Sequence, residues 1–351
     1  MRALVTGGAG FIGSALVRHL VGACGWPTLV IDSLTYAGHM SSLASVSADD
    51  GFEFQKLDIC DRAGLDAAFA DYKPDVVFHL AAESHVDRSI TNAGAFIETN
   101  LVGTFQVLEA ARQFWGKQTG ADKERFRFVH VSTDEVYGSL GDDGFFREDT
   151  PYDPRSPYSA SKAGADHLAS AWGHTYGLPV LISNCSNNYG PHQLPEKLIP
   201  LTILNGLEGR PLPVYGDGGN VRDWLFVDDH VEALRLIAEK GAPGRCYNVG
   251  GRNERRNIEV VHTICDLLDR FAPRARSHRE LIAFVTDRPG HDRRYAIDAT
   301  RLEGELGWRA RETFETGMER TVRWSLDNES WWAPLRSIAG VRQGLAGREA
   351  P

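Results

Sequence analysis

Apolar residues in the first half of the chain fall in short runs, each ending in small or polar residues and followed by a longer stretch with helical spacing. Ala3-Leu4-Val5-Thr6, Leu29-Val30-Ile31, Phe52-Glu53-Phe54, Val76-Val77-Phe78-His79-Leu80, Phe128-Val129-His130-Val131 and Val180-Leu181-Ile182 read as strands. Helices are expected from about Ser14 to Val21, from Asn92 to Trp115 and from Pro157 to Tyr176. This alternation over residues 1–184 predicts an α/β fold with a doubly wound parallel sheet covered on both faces.

After Asn184 the rhythm changes. Cys185 to Pro191 reads as loop, and a helix is expected to hold Lys197, Leu198 and Ile199. Pro213-Val214-Tyr215-Gly216 reads as a short strand and turn, and Val221–Val227 leads to a helix from Asp228. Tyr247-Asn248-Val249 is expected to rejoin the main sheet, with segments of 213–250 returning to the first domain. Asn257 suits the cap of a helix through Leu268, and residues 287–292 form a polar elbow. With no linker or repeat, a second lobe over 185–330 interleaves with the first. Residues 331–351 lack periodicity and read as a loosely held tail.

Candidate chemistry gathers where the strands end. Gly7-Gly8-Ala9-Gly10-Phe11-Ile12-Gly13 separates the first strand from the first helix. Such glycines permit a tight turn and close approach to a pyrophosphate, which then faces a helix amino end. Asp32 closes the next strand about 20 residues on, where a carboxylate bonds an adenosine ribose. It repels a 2′-phosphate, and Ser33, Leu34 and Thr35 follow it rather than Arg or Lys, so NAD is expected over NADP. Asp58, beside Ile59, has two readings on spacing alone: an acceptor for the adenine amino group, or a solvated turn aspartate. Past Leu80, Ala81 and Ala82 are small enough for ribose and phosphate to pack against backbone.

The fifth strand ends in Ser132-Thr133-Asp134-Glu135, at the sheet edge where α/β proteins hold ligands. Strand side chains alternate, so Asp134 and Glu135 reach one substrate only if the backbone leaves the strand between them, and Gly138 allows a turn soon after. Two adjacent carboxyls in a half-buried cleft do not both ionise easily, which makes one an acid and the other a base. The plainer reading is a solvated Asp-Glu pair. Pro157 suits a first helical turn, and Tyr158 and Lys162 then lie one turn apart on one face. A neighbouring ammonium lowers a phenol's pKa, so Tyr158 is expected to accept a proton near neutral pH. Lys197, Arg222, Arg288 and His291 read together as a diphosphate clamp, and singly as surface cations or a satisfied histidine.

The 351 residues, 42% hydrophobic, suffice for a large core or two lobes. A net charge of -9 argues against nucleic acid as the main partner, though not against a small anion held by a local basic cluster. The five cysteines are scattered without metal or disulfide spacing, so no metal and reduced thiols are expected. Met1-Arg2 leads straight into a strand and no apolar run approaches a membrane span; a cytoplasmic location without signal peptide or membrane contact is expected.

On these motifs the chain resembles the extended short-chain dehydrogenase/reductases, and among them the NAD-dependent sugar-nucleotide dehydratases, over residues 1 to about 327. Further matching segments are Leu34-Thr35-Tyr36-Ala37-Gly38, Ala81-Ala82-Glu83-Ser84-His85-Val86-Asp87, Asn184-Cys185-Ser186-Asn187-Asn188-Tyr189-Gly190-Pro191, Pro195-Glu196-Lys197-Leu198-Ile199-Pro200 and Asp287-Arg288-Pro289-Gly290-His291-Asp292. Ser33 departs from the pattern, standing where a larger polar or basic side chain is expected. The resemblance implies a Rossmann-type sheet with a smaller interleaved C-terminal α/β substrate lobe. It implies NAD held by Gly7, Gly10, Phe11, Ile12 and Gly13, by Asp32 to Thr35 with Asp58 and Ile59, by Leu80, Ala81, Ala82 and Ser84, and by Thr99, Asn188, Tyr158 and Lys162.

The implied reaction converts dTDP-glucose to a 4-keto-6-deoxy sugar nucleotide plus water, by C4 oxidation, elimination across C5 and C6, and hydride return to C6. Tyr158, aided by Lys162, takes the 4-hydroxyl proton and Thr133 bonds that oxygen. Glu135 is the C5 base, and protonated Asp134 serves the departing 6-hydroxyl. Implied substrate contacts are Ser84, Thr133, Asn187, Lys197 and Leu198, then Pro213, Val214, Tyr215, Arg222 and Asn257, then Asp287, Arg288, Pro289, Gly290 and His291. The family also implies a homodimer pairing the helices near 93–115 and 157–177. Alternatives are an epimerase or dehydratase acting on a UDP-sugar, a GDP-mannose dehydratase, which Asp32 disfavours, and an NAD-binding regulator with a dead site. The Asp134-Glu135 pair separates the dehydratase from the epimerase.

Overall fold

A computed structural model describes residues 1–287 and 290–338. β1 (Ala3–Thr6), β2 (Thr28–Asp32), β3 (Phe52–Lys56), β4 (Val76–His79), β5 (Arg127–Thr133) and β6 (Val180–Cys185) are the six short runs of the first half. β7 (Asn187–Tyr189), β8 (Leu212–Tyr215), β9 (Val221–Phe226), β10 (Cys246–Val249), β11 (Glu254–Arg256) and β12 (Ile282–Val285) follow. Seven strands make one sheet in the order β10-β6-β5-β4-β1-β2-β3, every pairing parallel. The order turns back on itself beside β1, the switch point where such sheets leave a crevice at their carboxyl ends.

Both faces of this sheet are buried. Val5, Val30, Phe78 and Val129 pack with the first helix and with helix Val227–Lys240 on one side. Leu4, Leu29, Val77 and Phe128 pack with helices Arg62–Tyr72 and Thr104–Gly116 on the other. The alternation of neighbours along each strand is the pleat repeat. A third cluster, including Tyr189, Ile203, Trp224, Ile264 and Met318, forms the core of the second lobe.

Several elements differ from expectation. The first helix begins at Phe11, inside the glycine motif, and its last turn widens to a π-helix over His19–Ala23. The long helix is likewise interrupted by a π-helical stretch, Ile97–Gly103. Asn187–Tyr189, read as loop, pairs with β9. Of the 213–250 segment, β10 joins the large sheet and helix Val227–Lys240 packs on its face; β8 instead pairs with β12, and β9 lies between β11 and β7. Arg256 occupies the cap position and Asn257 is the first helical residue. Past Trp331 the chain is not loose: Glu329–Ile338 is a helix whose Trp332 and Leu335 are buried. The rest of the tail, 339–351, lies outside the described residues.

Helix Pro157–Tyr176 spans the residues expected, for identifiable reasons. Ser156 caps it by accepting from Ser159 N, Pro157 opens it, and Gly177 at φ 72° ends it in the left-handed conformation. None of the described helices is long and apolar enough to cross a membrane.

Candidate active site

A cleft of about 330 Å³ opens at the carboxyl ends of β1, β2, β4 and β5. Gly7, Gly10, Phe11, Ile12 and Gly13 line it. Gly7 has φ 70°, and a Cβ there would lie 2.6 Å from Ala81 N; a Cβ on Gly13 would lie 2.1 Å from Gly7 O. Backbone thus meets backbone on both sides of the turn, and neither residue tolerates a side chain. The helix that follows has Gly10 as its cap residue and no side-chain cap, so its first amides are left to an anion.

Asp32 accepts from Ala9 N at 2.9 Å and Leu34 N at 2.8 Å, which aims the carboxylate into the same cleft. Burial raises its pKa, and the two backbone N–H groups oppose the rise. Ser33, Thr35, Asp58 and Ile59 also line the cleft, as do Leu80, Ala81, Ala82 and Ser84, and Thr99 and Asn188. Leu34 does not. At φ 54° it shapes the turn, and its side chain packs on the apolar core. The glycine turn and the ribose-type carboxylate fit a dinucleotide, and the donors present are those its diphosphate requires.

Thr133, Glu135, Tyr158 and Lys162 line the inner end of the cleft. The chain leaves β5 at Thr133 into a single 3-10 turn, Asp134–Tyr137, with Thr133 Oγ1 accepting from Glu135 N at 3.2 Å. That departure separates the two carboxylates. Glu135 faces the cleft; Asp134 is 1% exposed and lines neither cavity. Thr133 Oγ1 donates to Asp134 Oδ1 at 3.4 Å, and Oδ2 has no hydrogen-bond partner among the described residues. Burial, then the negative charges of Glu135 and Asp223, push the Asp134 carboxyl far above the usual range, against the Arg222 guanidinium. Asp134 is therefore a neutral acid.

Tyr158 departs from expectation. Burial, followed by Glu135 and Cys185, pushes its phenol well above the ordinary value, against a hydrogen bond with Thr133. Lys162 directs its Nζ to Val131 O at 2.9 Å, and burial lowers its own pKa. The i,i+4 spacing places both residues on one face and in one cleft, and burial is the largest influence on the phenol.

A second cavity of about 260 Å³ meets the first at Ser84, Glu135, Asn187, Asn188, Gln193 and Lys197. Leu198, Pro213, Tyr215, Arg222, Asn257 and His291 line it. Val214 does not: strand alternation turns it to the apolar cluster of Leu212, Val261 and Cys265, while its neighbours face the cavity. Gly290 and Asp287 are not lining residues either, and Asp287 Oδ1 instead contacts His291 Nδ1 at 2.6 Å. Arg288 and Pro289 lie outside the described residues. Arg222 is anchored by donating to Val221 O and Asp292 O and stacks 4.1 Å over Tyr295.

The sequence reading missed His85, Arg88 and Glu196 at this cavity. Arg88 lies 3.6 Å over the Tyr36 ring and 3.4 Å from Glu196, joining three loops that are distant in sequence. Their motifs were visible, but nothing local in them signals that they meet.

The family described as GDP-mannose 4,6 dehydratase matches residues 4–321. A probable dTDP-glucose 4,6-dehydratase of Sinorhizobium fredii is 61% identical over 98% of this chain and 99% of its own. The dTDP-glucose 4,6-dehydratase of Salmonella typhimurium is 54% identical over 99% and 100%. Among solved structures, a Streptomyces venezuelae dTDP-glucose 4,6-dehydratase with NAD and dTDP bound superposes with a TM-score of 0.87 at 47% identity, covering 95% of this chain and 100% of its own. The NAD complex of Thermus thermophilus UDP-glucose 4-epimerase has a TM-score of 0.82 at 32% identity, covering 93% and 100%.

Proposed function

The chain belongs to the GDP-mannose 4,6 dehydratase family of extended short-chain dehydrogenase/reductases, and on that premise we propose that it is an NAD-dependent hydro-lyase converting dTDP-glucose to dTDP-4-keto-6-deoxyglucose and water. The observation that carries this reading is where Glu135 stands. It lines both cavities, so one carboxylate faces the cofactor cleft and the sugar-nucleotide cavity at once. The relatives at 61% and 54% identity support thymidine as the base.

NAD, held by the glycine turn and Asp32, supplies the acceptor that takes a hydride from sugar C4 and later returns it to C6. Tyr158 removes the 4-hydroxyl proton, and Thr133 holds that oxygen. Lys162, in its cationic form, stabilises the phenolate. The ketone at C4 acidifies the C5 proton, which Glu135 takes. Asp134, kept neutral by burial behind Thr133 rather than lining the cleft, is assigned as the source of the proton for the departing 6-hydroxyl, so that the oxygen leaves as water. Glu135, its carboxyl proton exchanged with solvent, then reprotonates C5. Lys197, Arg222 and His291 hold the diphosphate.

An epimerase needs the glycine turn, Tyr158 and Lys162 but not an acid–base carboxyl pair, and the adjacent Asp134 and Glu135 support the dehydratase. Incubation with dTDP-glucose, UDP-glucose and GDP-mannose tests the reading. A 4-keto-6-deoxy product from dTDP-glucose is expected; inversion at C4 without loss of water contradicts it. The exposed apolar residues Ile97, Phe105 and Tyr176, on the two long helices, support a homodimer through that face, and five free cysteines suit a reducing, cytoplasmic setting.

A further inference from the structure

Tyr158, Lys162 and Asp166 follow one another at four-residue steps along helix Pro157–Tyr176, so they share a face. The first two line the cleft; Asp166 is 1% exposed, one turn behind them, and takes no part in the chemistry above. Its carboxylate accepts three side-chain hydrogen bonds. His130 Nε2 reaches Oδ1 at 3.0 Å, and Ser132 Oγ and Tyr152 OH reach Oδ2 at 2.8 and 2.9 Å. His130 and Ser132 belong to β5, and between them Val131 O accepts from Lys162 Nζ at 2.9 Å. The helix is thereby fastened to the strand just before Thr133.

Among the described groups packed around Asp166, Lys162 is the cation on its own helix, while Arg301, beyond Cys246, pairs with Glu148 at 3.8 Å. His130, fully buried, is held below its usual range by burial and by Lys162, with Asp166 opposing, so the ring that donates to Asp166 is neutral. His79 on β4 is likewise held neutral by burial. Burial keeps the Tyr152 and Tyr137 phenols protonated, raises that of Tyr158, raises the Cys185 thiol on β6 to about 12, and raises that of Cys246 on β10 as well. Asp134 is a neutral acid, and Glu135 lies on the cleft side, facing Tyr158. A fully buried ammonium is costly unless an opposite charge accompanies it, and Asp166 is the carboxylate that supplies it here.

We propose that Asp166 is a positioning residue of this site: a buried counter-charge that keeps Lys162 cationic and ties Ser132 and Thr133 to the helix bearing Tyr158. The inference rests on the dehydratase reading, because it concerns the proton state that C4 oxidation requires. Removing the negative charge makes Lys162 lose its proton at lower pH, so the alkaline limb of the C4-oxidation rate must move down.

The test is the pH profile of reduced-nicotinamide formation in single turnovers with dTDP-glucose, for the wild type, Asp166→Asn and Tyr152→Phe. The alkaline limb of Asp166→Asn is expected about one pH unit or more below that of the wild type. Tyr152→Phe, which removes a donor but keeps the charge, is expected to leave the limb in place whatever its melting temperature. Coincident limbs for wild type and Asp166→Asn overturn the proposal. Should Asp166→Asn fail to fold, Asp166→Glu carries the test: the charge is retained, so a slower rate with an unmoved limb supports the proposal and a limb moved down by a full unit overturns it. A wild type that forms no reduced nicotinamide from dTDP-glucose removes the dehydratase reading itself, and the proposal with it.

Discussion

Asp134→Asn separates the two properties assigned to this carboxyl, burial in the neutral form and proton donation. The side chain is 1% exposed, and burial with two nearby anions raises its pKa in the fold far above the unfolded value of about 3.9. Below about pH 3 both states are protonated and the group is neutral to stability. As the pH rises, the unfolded chain releases this proton and the folded chain keeps it, so the wild type loses stability until the folded pKa is reached. Each pH unit in that window costs about 1.4 kcal/mol. An asparagine has nearly the shape of the neutral acid and does not titrate. The stability gap between variant and wild type should therefore widen as the pH rises above the unfolded value, until the folded carboxyl ionises. Thermal unfolding at several pH values measures it. The same variant should eliminate water about 10²–10⁴-fold more slowly while still oxidising C4. A gap that stays constant with pH, or a variant that becomes relatively less stable as pH rises, would show that Asp134 is ionised in the fold and refute the argument.

Gly13→Ala places a Cβ 2.1 Å from Gly7 O, against backbone that has no room to yield. We expect a loss of about 1–3 kcal/mol in stability together with loss of NAD binding by calorimetry, whereas Gly22→Ala, with its nearest neighbour at 3.9 Å, should leave binding intact. Asp32→Ala should weaken NAD about tenfold or more while weakening NADP less, because the lost carboxylate repels a 2′-phosphate; equal losses in fluorescence titrations would remove the basis for the NAD preference.

The parallel sheet was readable because its strands are short, mostly apolar runs that end in small or polar residues, and helix Pro157–Tyr176 because its cap, its proline and Gly177 are local signals. The π-helical stretches at His19–Ala23 and Ile97–Gly103 were not, since no residue in either marks an extra residue per turn. The side of the fold on which a residue lies was legible only where a period applied. Naming Pro213, Val214 and Tyr215 together as substrate contacts disregarded strand alternation, which sends Val214 into the core. Proton states were the least legible. The Asp134-Glu135 pair was read as unequal, but which of the two is buried follows from the turn after Thr133, and the depth that raises Tyr158 comes from packing of the helix onto β5 and β6. The polar residues His130 and Asp166 sit in stretches read only for apolar period, so their pairing across strand and helix could not be anticipated.

The borrowed-hydride elimination is tested most directly by turning over dTDP-glucose in heavy water and locating deuterium in the product by NMR. One deuteron at C5 of a 4-keto-6-deoxy sugar, with the former C4 hydrogen now at C6, is the predicted result. A product that keeps its 6-hydroxyl, or one carrying no solvent deuterium at C5, contradicts it.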